Sequence, residues 1–335
     1  MNSSNLNEWR FSTNQKLLFY SNFTIIPLGI IFNLIQIGIF FRKKLFRLTM
    51  NIFHIIISIN NIMALILTSL RFISLIEVYE FKDTSTLGCK IVPFFIRLFY
   101  QACVWLNFLV TLDRLIFIQN FVKNIHHKIL ILKTTLVMYA ILICIDSPNF
   151  FYQMTDVNTT FNQTFHICTI NQHLAIINEG ITQILGIYLP LCLMFLSNLF
   201  LIKKVIESRS KFKNLKETNF AFALIISNIL FTITLIPFSV YLIMVMIRIF
   251  GDFKDESMKS FLALFETITI LIACYNYSFT LIIQIIFNKC FRKEFFKVIN
   301  SLKIKCFRNS NQISTITETT CSLHDKRPAR DHKIK

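Results

Sequence analysis

Seven apolar runs alternate with short polar stretches along the chain, near residues 18–41, 51–73, 90–117, 131–152, 180–202, 219–247 and 261–287. Each reaches the roughly 20 residues a helix needs to cross a hydrocarbon core of about 30 Å. The pattern predicts an all-α integral membrane protein, a bundle of seven transmembrane helices. A β-barrel is excluded, because its strands would be short and would alternate polar with apolar residues. The third run is the most informative. It opens on Cys89, closes on Asp113-Arg114, and carries Arg97, Tyr100, Gln101 and Asn107 inside it. At about 1.5 Å per residue the interval from Cys89 to Arg114 is roughly 37 Å, so a thiol stands at one water boundary and a charge pair at the other.

Charge fixes the orientation. The loop after the first run carries Arg42, Lys43, Lys44 and Arg47. The next on that side carries Lys123, Lys128 and Lys133, and the third carries Lys203, Lys204, Arg209, Lys211, Lys213 and Lys216. The opposite loops are mixed or acidic, with Glu77, Glu80, Asp83, Asp156, Asp252, Asp255 and Glu256. The basic set is expected in the cytoplasm, which puts the N-terminus outside and, seven being odd, the C-terminus inside. Glycosylation sequons at Asn2, Asn158 and Asn162 all fall on the expected outer side. The net charge of +17 is accounted for by the inner loops and the tail, so no nucleic-acid partner is expected. The composition, 54% hydrophobic, belongs to a membrane protein, and lipid is an expected neighbour. No repeat or long linker divides the chain. The expected organisation is an extracellular segment 1–17, one membrane domain 18–300 with an amphipathic helix near 289–299, and a disordered tail 301–335.

Several positions together resemble the rhodopsin-like (class A) G-protein-coupled receptors. Asn33 matches the polar anchor of the first helix, and Asn61 stands where the second helix usually has an Asp. Cys89 and Asp113-Arg114 keep the third-helix interval. Pro148 and Pro190 fall in the fourth and fifth helices. Phe231-Thr-Ile-Thr-Leu-Ile-Pro237-Phe238 resembles FxxCWxPF, and Asn288-Lys-Cys-Phe-Arg-Lys-Glu-Phe-Phe resembles the amphipathic helix after the seventh span. The likeness covers residues 17 to about 300. The departures mark a divergent member, of a peptide-receptor-like or chemoreceptor-like kind. Thr280 to Gln284 replaces NPxxY, Leu235 replaces the sixth-helix Trp, and Asn198 replaces the fifth-helix Tyr. Asn61 and Cys103 bring no negative charge where the family often holds sodium, so no sodium site, other metal or cofactor is expected.

The resemblance implies a receptor, not an enzyme, at the plasma membrane, with an extracellular ligand and a heterotrimeric G protein as partners. It implies a Cys89–Cys168 disulfide pinning an outer loop over the third helix. It makes Asp113, Arg114 and Glu217 a cytoplasmic switch, Glu217 pairing with Arg114 at rest. Arg71 and Arg97 are cations at membrane depth, where an unmatched charge is costly. Either they face the ligand beside Tyr100 and Gln101, which favours a peptide or acidic small molecule, or they are matched internally by Glu179 and Glu266. Cys306 is an expected palmitoylation site, and the Ser/Thr-rich tail an expected target of a receptor kinase and arrestin. The rival class, a transporter or ligand-gated channel, would need charges along a midplane path or broken helices, and few intramembrane charges are apparent.

Overall fold

The computed structural model describes residues 3–46, 50–76, 85–120, 126–158, 164–211, 215–251 and 255–301. Among these, seven helical spans are long and apolar enough to cross a bilayer. The first is made of α1 (Ser3–Phe23) and α2 (Ile25–Phe40), followed by a short loop helix α3 (Lys43–Phe46). The second, third and fourth are α4 (Met50–Ile76), α5 (Thr86–Asn120) and α6 (His126–Asp146). The fifth is α7 (Gln172–Gln183) continued by α8 (Leu189–Lys211), the sixth α9 (Leu215–Phe250) and the seventh α10 (Glu256–Phe287). A last helix, α11, covers 289–301, which places the expected amphipathic helix. With no water in the bilayer core, every backbone amide must be satisfied within its own segment, which is why apolar runs become helices.

Prolines explain the irregularities. Pro27 has no N–H to offer the carbonyl of Phe23 and its ring would crowd it, and the first span breaks at Thr24. At the break both the hydroxyl and the amide of Thr24 donate back to the Tyr20 carbonyl, at 2.6 and 3.0 Å. Pro190 does the same to the fifth span, where Ile184–Tyr188 forms a widened π-turn. The indole of Trp105 donates to the Leu185 carbonyl in that turn at 3.2 Å.

Apolar side chains such as Leu136, Val137 and Ile141 on α6, or Phe195, Leu199 and Phe200 on α8, point away from the bundle and are exposed. They form the surface for lipid. Lipid tails are as apolar as these side chains, so the helices are held by close packing and polar contacts instead. The buried Asn33 amide donates to the Gly29 and Tyr277 carbonyls at 2.8 and 2.9 Å. Asn61 donates to Asn33 at 3.4 Å. Asn60 donates to the Cys103 sulfur and the Phe99 carbonyl, and accepts from the Tyr139 hydroxyl at 2.8 Å. These bonds join α2, α4, α5, α6 and α10. Gly29 permits the closest approach, since a Cβ there would overlap Ser278 and Leu65. Gly29→Val is therefore expected to push α2 off α10 and α4 and to lower surface receptor several-fold, read by antibody staining of intact cells against total protein.

The polar segment before the first apolar run is helical from Ser3 and lies along the N-terminal end of α10. Arg10 donates to the Ser257 carbonyl at 3.0 Å and sits over the Phe261 ring at 5.6 Å. The hydroxyl of Ser260 donates to Asn7 at 2.9 Å. The loop between the fourth and fifth spans forms an antiparallel hairpin, β1 (Gln153–Asn158) with β2 (Thr164–Thr169), in which Met154 faces Cys168. At the opposite end of the bundle, Asn288 caps α11 by accepting from the Phe291 amide at 3.1 Å. Phe291 is fully buried against Phe40. Glu294, also buried, gathers Lys297, Arg42 and Lys44 at 3.2–3.8 Å and ties α11 to the first inner loop.

Candidate functional site

Cys89, buried at the outer start of α5, and Cys168 on β2 form a disulfide with their Cα atoms 5.6 Å apart. The hairpin is thereby held over the third span, capping that end of the bundle.

Below it lie the polar side chains singled out in the sequence. Arg71 on α4 forms an ion pair with Glu266 on α10, and Arg97 on α5 forms one with Glu179 on α7. Both pairs are partly buried. The Tyr100 hydroxyl shares a hydrogen bond of 2.5 Å with that of Thr68, and its ring lies 6.1 Å from that of Tyr277. Gln101 does not join Tyr100 in one lining. Its amide is buried and donates to Asp146 Oδ1 on α6 at 2.9 Å. Its side chain rests against Gly186 in the π-turn, where a Cβ would lie only 2.5–2.8 Å from it. A small residue and a widened turn together make room for that amide between the third, fourth and fifth spans.

Sequence reasoning missed Asp146. It is a carboxylate inside an apolar run, fully buried, and held by the buried amides Gln101 and Asn149, the latter bonded in turn to Asn178. The signal was available, because an ionisable residue within a span is a candidate site by its cost alone. The expectation of few charges at membrane depth overlooked it.

At the inner end of α5, Arg114 folds back to donate to Asp113 Oδ2 at 3.0 Å, and both side chains are buried. Glu217 lies in α9 with its side chain outside those described, and the expected Arg114–Glu217 contact falls outside the described residues with it. A different contact joins the third and sixth spans, and the fifth with them. The Asn228 amide on α9 donates to Thr111 Oγ1 on α5 at 2.6 Å and to Asn198 Oδ1 on α8 at 3.1 Å. All three are buried. The sequence showed Asn198 only as a missing Tyr; its partners come from non-adjacent helices and no spacing reveals them. Asn158 ends β1 with its side chain outside those described, and Asn2, Asn162 and Cys306 lie outside the described residues. Among the described residues no group of His, Cys, Asp and Glu is placed to hold a metal ion.

The 7 transmembrane receptor (rhodopsin family) model matches residues 32–278, most of the chain. No curated protein matches the sequence significantly.

Proposed function

Because this chain belongs to the rhodopsin family of seven-transmembrane receptors, we propose that it binds an extracellular ligand and drives nucleotide exchange on a heterotrimeric G protein. The observation that carries this is the buried Asp113–Arg114 pair at the inner end of the third span, inside the family match. The loop charges support an outer N-terminus and a cytoplasmic C-terminus. Ligand entry is at the end capped by the hairpin, over Arg71, Arg97, Tyr100, Gln101, Glu179 and Glu266. Each of these two guanidiniums is matched by a carboxylate, so neither is spare for an acidic ligand. The Ser/Thr-rich tail would serve a receptor kinase and arrestin, with Cys306 carrying an acyl anchor and Asn2, Asn158 and Asn162 carrying glycans.

Activation requires two arrangements of the helices with different affinity for the G protein. In the resting arrangement the sixth span is tied to the third and fifth by the neutral Asn228–Thr111–Asn198 cluster, besides any contact of Glu217. The test is ligand-free nucleotide exchange by receptor reconstituted in nanodiscs with each class of Gα. Losing one such hydrogen-bonding side chain removes about 1 kcal/mol, so Asn228→Leu should raise basal exchange roughly fivefold. Arg114→Ala should abolish exchange at equal receptor amount. If no Gα class responds to wild type or to Asn228→Leu, the G-protein reading fails.

A further inference from the structure

The charges that act on Asp146, between the third, fourth and fifth spans, do not balance. Arg97 is taken by Glu179, and Asp146 forms no ion pair among the described residues. Asp146 lies within electrostatic range of both members of that pair, whose effects on it oppose each other. Two carboxylates therefore share one guanidinium, and one negative charge is left over. It sits level with Gln101, roughly 18 Å along α5 from Cys89.

The atoms around Asp146 are mostly acceptors in want of a partner. Its Oδ1 accepts from Gln101, but its Oδ2 makes no hydrogen bond. Gln101 Oε1, Asn178 Oδ1 and Thr182 Oγ1 are buried and equally unpartnered. Each of the three amide nitrogens here makes one hydrogen bond: Gln101 donates to Asp146, Asn149 to the Asp146 carbonyl at 2.7 Å, and Asn178 to Asn149 at 3.4 Å. Thr182 follows Asn178 by one helical turn on α7. Unused donors are present as well, namely Arg97 Nη1, Gln183 Nε2 and the Thr182 hydroxyl proton. A bridging water would satisfy hydrogen bonds between such groups but would leave the charge uncompensated.

We propose that Asp146, with the oxygens of Gln101, Asn178 and Thr182, forms a site for a small monovalent cation between the third, fourth and fifth spans. An all-oxygen set suits a hard cation or the N–H donors of an ammonium. A single carboxylate matches one positive charge. The site is distinct from Asn61 and Cys103, whose polar groups bond to one another and to Asn33 and Asn60. The cation is either a free inorganic ion or the ammonium of the extracellular ligand. In the second case the proposal rests on the receptor reading and reverses the ligand charge that two unmatched arginines would have implied.

The test is thermal unfolding of the purified full-length receptor in nanodiscs, which does not pass through G-protein activation, so its failure is separable from failure of that reading. Sodium chloride or butylammonium chloride replaces choline chloride at constant ionic strength. A ligand bound only by the folded state should raise the midpoint by roughly 3 °C as the cation rises from about 1 to 150 mM. Sodium acting alone identifies an inorganic site. Butylammonium acting at lower concentration, with sodium competing, identifies a ligand subsite. Asp146→Asn should lose the cation response and, having shed an unpaired charge, unfold in choline no earlier than wild type. Thr182→Val, which removes one oxygen and no charge, should shift the response several-fold to higher concentration. Identical midpoints in all three salts for wild type would overturn the proposal, as would an undiminished response in Asp146→Asn.

Discussion

Replacing Cys89 or Cys168 by Ser is expected to remove most of the receptor from the cell surface. The bond closes a loop spanning 79 residues. For a chain free in water such a closure is worth about 4.5 kcal/mol. Here the unfolded reference is already restrained, because the third and fourth spans stay inserted, so about 2–4 kcal/mol is the reasonable expectation. Against a folding stability on the order of 10 kcal/mol, that is a large share. The loss is concentrated in the hairpin, whose two short strands have little else to hold them over α5. Because one bond is broken in every case, the two single variants and the double variant should be equally impaired. Intact-cell staining at matched total expression measures this. Normal surface delivery of either single variant would mean that the packed helices hold the outer cap without it.

Arg97→Ala is expected to be nearly as damaging, and for a different reason. The substitution leaves Glu179 without its cation and Asp146 with an unopposed carboxylate neighbour. Truncating one partner of a fully buried pair costs about 3–5 kcal/mol, but these side chains are 19% and 26% exposed. About 2 kcal/mol is the expected loss, enough to reduce surface receptor several-fold. Removing Glu179 as well should restore delivery, because the orphaned charge is gone. Arg97→Lys should recover part of it, since an ammonium keeps the charge but not the planar fork. This pattern separates an internal counter-charge from a ligand-borne one. A receptor that lost ligand affinity in Arg97→Ala with surface delivery untouched would place the counter-charge on the ligand. Normal delivery and normal affinity together would leave Arg97 without either role.

The sequence by itself determined the spans. The run at 51–73 is carried by Met50–Ile76 and that at 261–287 by Glu256–Phe287. This follows because the bilayer acts on each segment separately: apolar length sets a span, and backbone hydrogen bonding makes it a helix. The disulfide partners were readable for a related reason, being held to one side of the membrane. Asn33 was readable as a polar anchor, but its acceptor, the Tyr277 carbonyl on the seventh span, was not. Nor could sequence distinguish the polar segment before Leu17 from a loose leader, since its helix is fastened by Arg10 on the distant α10.

Only the tertiary structure decided where the polar side chains are spent. Arg71 and Arg97 had two possible destinies, and packing brings Glu266 and Glu179 within reach of them. Gln101 was expected beside Tyr100, yet Gly186 in the π-turn opens a space that draws it toward Asp146. Asn198 and Asn228 are single amides in apolar runs until α5, α8 and α9 set Asn228 between Asn198 and Thr111. A span's existence is a property of one segment in lipid. A buried polar group's role depends on which partner the neighbouring helices supply, and that depends on how they rotate and approach one another.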